Sequence, residues 1–305
     1  MLDLDRRSFL AGSVALAVGE APQWPPVESW ALWPEGPPDR PDILPAPHMI
    51  SEPSGPKQLP VFKISGVAEP RLSVFRPQRP NGIAILVTPG GSYVRLSVGD
   101  ETGNGLVPFG YTVFVLTYRL PGEGWHNRSN VPLQDAQRAI RLIKSKAADY
   151  AIDPDRVCAL GFSAGGHLAA SLATGFEEDV YRPVDQADRL PARPRAVGLL
   201  YPVIDMHPGF AHVKSRENLL GPDPSEALMN ARSPHLQVSD ITPPCFLAHA
   251  LDDSTVAADN SLLMLAALRA KRIPAEAHLF ETGGHGFGFS LPWAERFQEW
   301  LGKHA

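Results

Sequence analysis

The segment 161–165, Gly-Phe-Ser-Ala-Gly, places Ser163 between two glycines. An apolar run at 156–161 leads into it, and a helical sequence begins at residue 164. The pattern G-x-S-x-G at a junction of strand and helix is typical of a nucleophile elbow, where larger side chains would collide in the sharp turn. We therefore predict that Ser163 is a catalytic nucleophile at the end of a strand.

A serine hydroxyl is a poor nucleophile at neutral pH, so it needs a histidine base that a carboxylate orients. Of the ten histidines, His285 alone lies in a glycine-rich loop directly after the last apolar run, 276–281. Asp252 and Asp253 follow the preceding run, 245–250. Consecutive side chains on an extended segment point in roughly opposite directions, so only one of these aspartates can face the histidine. The order serine, acid, histidine is that of α/β-hydrolases.

Acyl transfer also needs hydrogen-bond donors for the negative charge that develops on the carbonyl oxygen. The loop 89–93, Pro-Gly-Gly-Ser-Tyr, follows the apolar run 83–88 and occupies the place of the HGGG-type loop of esterases and lipases. We predict that the amides of Gly90, Gly91 and Ala164 form the oxyanion hole. Because a proline replaces the histidine of the HGGG motif, the sequence leaves open which two amides point inward.

These candidate residues must be positioned by the elements around them. Short apolar runs and helical stretches alternate after residue 60, which predicts strands joined by crossover helices. The expected fold class is therefore α/β, with a mostly parallel eight-stranded twisted sheet and helices on both faces. The irregular stretch 205–243 is predicted to form a small cap over the substrate. The predicted strands are 61–67, 71–76, 83–88, 112–117, 156–161, 196–201, 245–250 and 276–281, and the predicted helices are 131–150, 164–174, 256–271 and 291–302.

The first sixty residues differ in composition from the rest of the chain. Residues 1–20 resemble a twin-arginine export signal, because Arg6 and Arg7 precede a short apolar stretch; the alternative is an ordinary amphipathic helix. We therefore expect a bacterial protein that is periplasmic or secreted. Residues 21–60 are dense in proline, which predicts an extended arm whose tryptophans lie partly against the body. Residues 61–305 are then the catalytic domain.

Composition and charge limit the classes of partner. The net charge is −5 and the basic residues are scattered, so the sequence shows no cluster of basic residues that would bind nucleic acid or anionic lipid. A neutral small-molecule or carbohydrate ester fits best. Cys158 and Cys245 fall in two different predicted strands and are expected to be free thiols. The expected chemistry needs no metal and no organic cofactor.

Several motifs resemble the acetyl xylan esterase and feruloyl esterase-like branch of the α/β-hydrolases, and the resemblance covers roughly residues 30 to 302. It implies a serine carboxylesterase, most often one that deacetylates plant cell-wall carbohydrate. The branch places its acid three residues before a valine, so the resemblance implies Asp253, which precedes Val256 in that register, as the partner of His285. The motifs are Gly-Phe-Ser-Ala-Gly-Gly-His-Leu at 161–168, Pro-Gly-Gly at 89–91, Tyr-Arg-Leu-Pro at 118–121, Asp-Ala-Gln-Arg-Ala at 135–139, Tyr-Pro-Val at 201–203 and Gly-His-Gly-Phe-Gly at 284–288.

Two aromatic residues are candidates for substrate binding. Tyr93 closes the predicted oxyanion loop, and Trp125 follows a predicted strand and could either stack on a sugar ring or pack within its loop. Asp135 and Arg138 are interpreted as a structural pair at the start of a helix.

Three rival functions use the same scaffold. A feruloyl esterase would share the fold and the triad. A prolyl-oligopeptidase-like peptidase would also share the triad, but this chain lacks an N-terminal propeller. A non-catalytic binding protein on a hydrolase scaffold would usually have lost a triad residue, and here all three are present.

Overall fold

The computed structural model describes residue 24, residues 28–54 and residues 58–305. The predicted export signal lies outside these described residues. The strands are β1 (Glu28–Ala31), β2 (His48–Ser54), β3 (Leu59–Ser65), β4 (Arg71–Phe75), β5 (Ala84–Thr88), β6 (Leu96–Gly99), β7 (Thr112–Thr117), β8 (Val157–Phe162), β9 (Val197–Leu200), β10 (Cys245–Ala250) and β11 (Ala275–Phe280). The α-helices are α1 (Asp100–Asn104), α2 (Val131–Ser145), α3 (Ala164–Gly175), α4 (Val213–Leu220), α5 (Glu226–Ala231), α6 (Asp259–Ala270) and α7 (Trp293–His304).

The predicted mostly parallel eight-stranded sheet is confirmed, with the order β1-β4-β7-β5-β8-β9-β10-β11. The six neighbouring strands β7-β5-β8-β9-β10-β11 are all parallel to one another. At the other end of the sheet, β4 is antiparallel to β7, and β1 is antiparallel to β4. The chain leaves β5 for β7 on one side and later returns to β8 on the other. Such a reversal opens a crevice at the carboxyl ends of the central strands, where open α/β sheets bind their ligands.

The membership of the large sheet differs from the prediction at one strand. The segment predicted at 61–67 lies in a separate three-stranded sheet, β2-β3-β6, and the eighth strand of the large sheet is β1 from the arm. Proline confines an arm to edge positions in a sheet, and β1 is a proline-free segment that pairs only with β4. The alternating pattern of β3 was read correctly as a strand, but alternation does not identify the partner sheet.

Helices cover both faces of the large sheet, as predicted. Helices α2, α3 and α6 contribute to one apolar cluster, and α7 contributes to the other. The two cysteines are free, and burial raises the pKa of each thiol to about 12. Among the described residues, no helix combines the length and apolarity needed to cross a membrane.

The arm is anchored to α2 through buried polar contacts. Trp33 Nε1 donates to Asp135 Oδ1 over 2.8 Å. The same carboxylate pairs with the Arg119 guanidinium at 2.8 Å, with both side chains fully buried. The expected Asp135–Arg138 pair is therefore wrong, since Arg138 pairs with Asp188 at 3.0 Å. Asp135 and Arg138 are three positions apart along the helix, but each has an ion-pair partner from another segment: Arg119 after β7 and Asp188 after α3.

Candidate active site

Ser163 lies in a strained turn between β8 and α3. Its backbone dihedrals are φ 55° and ψ −121°, a combination that an L-residue adopts only where the surroundings enforce it. A Cβ added at Gly165 would lie 2.0 Å from the carbonyl oxygen of Thr88 in β5. Only glycine permits this close approach of α3 to the sheet, and the approach holds the serine hydroxyl at the carboxyl end of β8.

The structure brings Ser163, His285 and Asp253 into one hydrogen-bonded line. Ser163 Oγ lies 2.9 Å from His285 Nε2, and His285 Nδ1 lies 2.7 Å from Asp253 Oδ2. An ionised carboxylate only accepts hydrogen bonds, so Nδ1 carries the ring proton and the Nε2 lone pair faces the serine hydroxyl. This tautomer is the one a general base requires.

Asp253 is held as a carboxylate by its neighbours. The amides of Thr255 and Val256 each donate to Oδ1 over 2.9 Å, and His249 Nε2 lies 3.3 Å from Oδ2. Burial by itself would raise the pKa of Asp253, but these hydrogen bonds and the one from His285 outweigh it and lower the pKa well below its usual range. Asp253 is therefore ionised wherever the enzyme could act.

Asp252 has a different partner. Its Oδ1 accepts a hydrogen bond from the Gly284 amide over 2.8 Å, in the loop that carries His285. The two adjacent aspartates thus divide two tasks, since Asp253 contacts the imidazole and Asp252 contacts the backbone beside it.

The predicted oxyanion loop lies against the serine. A Cβ added at Gly90 would lie 3.0 Å from the Ser163 Cβ, which places this residue in direct contact with the nucleophile. Within the described part of the chain, the amides of Gly90, Gly91 and Ala164 donate to no acceptor. All three predicted donors are therefore free to bind a ligand oxygen, and the backbone geometry does not select two of them.

Side chains from other parts of the chain form hydrogen bonds to the backbone of the oxyanion loop. Tyr118 donates its hydroxyl proton to the Pro89 carbonyl over 2.7 Å, and Asn218 Nδ2 of α4 donates to the Ser92 carbonyl over 3.1 Å. Ser92 and Tyr93 both adopt φ 59°, in the left-handed region that side chains usually avoid. The contacts compensate for a backbone conformation that the sequence alone would not favour.

The prediction that Tyr93 and Trp125 bind substrate is wrong. Tyr93 is 1% exposed, and its hydroxyl lies 2.8 Å from His167 Nδ1. Trp125 is 3% exposed, and the Arg119 guanidinium lies 4.8 Å from the centre of its ring. Both aromatic rings are packed in the interior, so neither can stack on a sugar.

His167 was not among the residues predicted to be functional. It follows Ser163 by one helical turn, and its Nε2 lies 2.8 Å from the Arg232 carbonyl. A carbonyl only accepts, so Nε2 carries the proton and Nδ1 accepts from the Tyr93 hydroxyl. Burial lowers the pKa of His167 to about 4, so the ring is neutral. The spacing of four residues on a helix was the available signal.

The serine opens into a cavity of about 800 Å³. One part of its lining is aromatic and consists of Phe162, Tyr201, Phe287 and Phe289, and another part comes from the three-stranded sheet. The segment 205–243 forms α4 and α5, and none of its residues lines this cavity. Asn218 of α4 nevertheless contacts the oxyanion loop, so the cap over the substrate stays a prediction. No cluster of three or more potential metal ligands occurs among the described residues.

Comparison with known proteins gives a consistent picture. The family model BD-FAE matches residues 82–268. "Endo-1,4-beta-xylanase B" of Butyrivibrio fibrisolvens is 36% identical over 220 residues, which cover 72% of this chain and 34% of that protein. "Acetylxylan esterase" of Xylanibacter ruminicola is 31% identical over 235 residues, which cover 75% of this chain and 46% of that protein. This chain thus spans between a third and a half of these curated relatives.

A solved structure matches almost end to end. It is described as an acetyl ester-xyloside bifunctional hydrolase from Caldicellulosiruptor lactoaceticus. The TM-score is 0.69 at 32% identity, and the match covers 90% of this chain and 96% of that one.

Proposed function

Because this chain belongs to the BD-FAE family and has the α/β-hydrolase fold, we propose that it is a serine carboxylesterase that removes acetyl groups from plant cell-wall carbohydrate. The observation that carries the proposal is the hydrogen-bonded line from Ser163 through His285 to Asp253 at the base of an open cavity. The relatives named for acetylxylan and acetyl ester hydrolysis support the choice of substrate.

The proposed reaction has two halves. His285 Nε2 takes the proton of Ser163 Oγ as the oxygen attacks the ester carbonyl, and Asp253 stabilises the imidazolium that forms. The amides of Gly90, Gly91 and Ala164 donate to the oxyanion. His285 then returns the proton to the leaving sugar hydroxyl, which leaves an acetyl-serine. Water, deprotonated by the same histidine, releases acetate and restores the serine.

A feruloyl esterase is the second candidate, and the aromatic part of the cavity lining favours it. Phe162 and Phe289 are partly buried, line the cavity and could stack on an aromatic acyl group, with the buried Tyr201 and Phe287 beside them. The two candidates differ in the acyl half of the substrate, so they are separable by assay.

The test uses purified protein on acetylated xylan, acetylated monosaccharides, feruloyl esters and short nitrophenyl esters. We expect acetylated carbohydrate to give the highest kcat/KM, and a preference for feruloyl esters would favour the second candidate. Ser163→Ala should fold normally and lose about 10⁴- to 10⁶-fold in turnover. If folded Ser163→Ala protein kept a tenth of the activity, the serine mechanism would be contradicted. If a fluorophosphonate probe did not label the native protein, the chain would be a binding protein and not an enzyme.

We also propose that the protein is exported through a twin-arginine route. The support is the pair Arg6 and Arg7 ahead of an apolar stretch. Replacement of both by lysine should retain the protein in the cytoplasm, as measured by cell fractionation. Unchanged fractionation would contradict this route.

A further inference from the structure

The three-stranded sheet contributes both apolar and polar side chains to the lining of the catalytic cavity. Side chains alternate between the two faces of a strand. On β3, Leu59, Val61 and Lys63 line the cavity, whereas Phe62 is buried on the opposite face. On β6, the cavity is lined by Ser97, the residue paired with Lys63 across the ladder.

Two cations of this lining lack a carboxylate partner. Lys63 is half-buried, and its Nζ has Ser97 Oγ as a neighbour at 3.4 Å. Arg95 directly precedes β6 and lines the same cavity. Neither forms an ion pair with any of the described carboxylates. Burial lowers the pKa of Lys63, and the nearby charge of Arg95 lowers it further, as expected for two like charges that face one space.

These cations are close to the reacting serine. A Cβ at Gly90 would lie 3.0 Å from Ser163 Cβ, and a Cβ at Gly91 would lie 3.2 Å from Arg95 Cγ. Because consecutive Cα atoms are about 3.8 Å apart and each Cα–Cβ bond adds about 1.5 Å, Arg95 Cγ lies within about 13 Å of Ser163 Cβ. A group on the same sugar unit as the reacting ester, or on its neighbour, could therefore contact Arg95.

The carboxylates around this part of the lining limit what the cations can bind. Glu52 lies on the same face of the sheet, diagonal to Lys63 across the β2–β3 ladder, and it partly opposes the fall in the lysine pKa. Asp100 and Glu101 line the cavity beyond the end of β6. The formal charges of the cavity lining therefore balance, so the positive field is local. A local field suits one singly charged group better than a polyanion or a doubly charged phosphate.

We propose that Lys63, Arg95 and the Ser97 hydroxyl form a subsite for a carboxylate, so that the preferred substrate is an acetyl ester of a carbohydrate that carries a uronic acid. This inference rests on the proposed esterase function and specifies its substrate. It differs from the expectation of a neutral substrate, which considered the whole-chain charge and not its local distribution. Lys63 is half-buried and Arg95 is exposed, and neither has an ion-pair partner among the described residues, so a ligand that supplies an anion would form charge-assisted hydrogen bonds with both.

The test compares two matched esters, the monoacetates of methyl glucuronoside and of methyl glucoside, which differ by a carboxylate in place of a hydroxymethyl group. At low ionic strength we expect kcat/KM to favour the uronoside about tenfold. The ratio of kcat/KM for the uronoside to kcat/KM for the glucoside should fall about threefold in Lys63→Gln. It should approach one in the double variant that also carries Arg95→Gln. Added salt should lower the ratio in the native protein. The ratio is the readout because a general loss of activity cancels from it. Lys271→Gln, at a lysine on the far end of α6 that does not line the cavity, is the matched control and should keep the native ratio.

A direct binding measurement separates the subsite from the catalytic proposal. Ser163→Ala protein should bind unacetylated methyl glucuronoside more tightly than methyl glucoside in calorimetry. Equal binding, or a native ratio of one or less, or a ratio unchanged in the double variant, would overturn the subsite. Preferred binding of the uronoside with no hydrolysis of either ester would instead overturn the esterase proposal and leave the subsite intact.

Discussion

Two glycine-containing loops meet at Ser163, and they reach positive φ in different ways. The oxyanion loop 89–93 is held by side chains from three other elements, and two of its non-glycine residues adopt positive φ. The histidine loop 283–288 reaches positive φ through four glycines, and a Cβ added at Gly284 would meet nothing within 4 Å. The first loop adopts positive φ at residues with side chains, which needs compensating contacts, whereas the second confines positive φ to glycines, for which it costs little.

This difference matches what each loop must do. Donors for an oxyanion are effective only when they are already oriented, because reorganisation during the reaction would cost the stabilisation they provide. His285 must exchange a proton first with the serine and then with the leaving group, so a small adjustment of its loop is useful. The hydrogen bonds from Asp253 to His285 and from Asp252 to the Gly284 amide then position the imidazole, which the glycines by themselves would not do.

The largest expected effect tests the acid that supports the histidine loop. Asp253→Asn keeps the shape but favours the wrong histidine tautomer, which costs about 10⁴-fold in turnover in serine proteases with the same triad. We expect a loss of this order in kcat. Asp252→Asn is the matched control and should lose about tenfold, through its backbone hydrogen bond to Gly284. The reverse ranking would contradict the assignment of Asp253.

The second effect contrasts alanine in the two loops. A Cβ at Gly91, where φ is 137°, would lie 2.1 Å from the Arg95 carbonyl oxygen, so Gly91→Ala must displace the oxyanion loop. Loss of one oriented donor predicts about a 10²-fold lower kcat. Gly284→Ala meets no neighbour and should cost about 1 kcal/mol in stability with less than a tenfold change in kcat. Equal kinetic losses, with folding checked by circular dichroism, would remove the contrast between the loops.

A smaller effect is expected from the hydroxyl of Tyr93. Tyr93→Phe leaves His167 Nδ1 with only Ser171 Oγ at 3.5 Å, so the oxyanion loop loses one of its constraints. We expect kcat to fall about tenfold with little change in KM, because the donors are less well oriented. Affinity for a boronic acid inhibitor should fall by the same factor. Tyr181→Phe removes a hydroxyl bonded to Asp188, remote from the loop, and should change stability but not kcat.

The smallest effect is a pH dependence of stability. The unfolded chain binds a proton at His167 near pH 6.5, whereas the folded chain does so only near a pKa of about 4. Stability from this residue is therefore present above pH 6.5 and is lost as pH falls toward 4, by at most about 3 kcal/mol. His212 and His235 have lowered pKa values too, so the slope of native protein should be compared with that of His167→Asn in urea titrations. Identical slopes would contradict a neutral, buried imidazole.

Sequence by itself determined the parts of this protein that depend on local pattern and chain order. In a parallel sheet the carboxyl ends of the strands lie at one edge, so the loops after β5, β8, β10 and β11 had to converge. The G-x-S-x-G turn identified the serine, and the glycine-rich loop after the last strand identified His285. Even the choice of Asp253 over Asp252 needed only strand alternation and a motif register.

Tertiary structure alone decided what covers each side chain. Alternation predicts that a side chain points to one of two faces, but it does not predict what packs on that face. Tyr93 and Trp125 were therefore predicted to contact substrate and are buried, whereas Lys63, which no motif singled out, lines the cavity. The reason is physical: burial depends on contacts between segments far apart in the chain, such as the arm against α2 and the three-stranded sheet against the catalytic crevice.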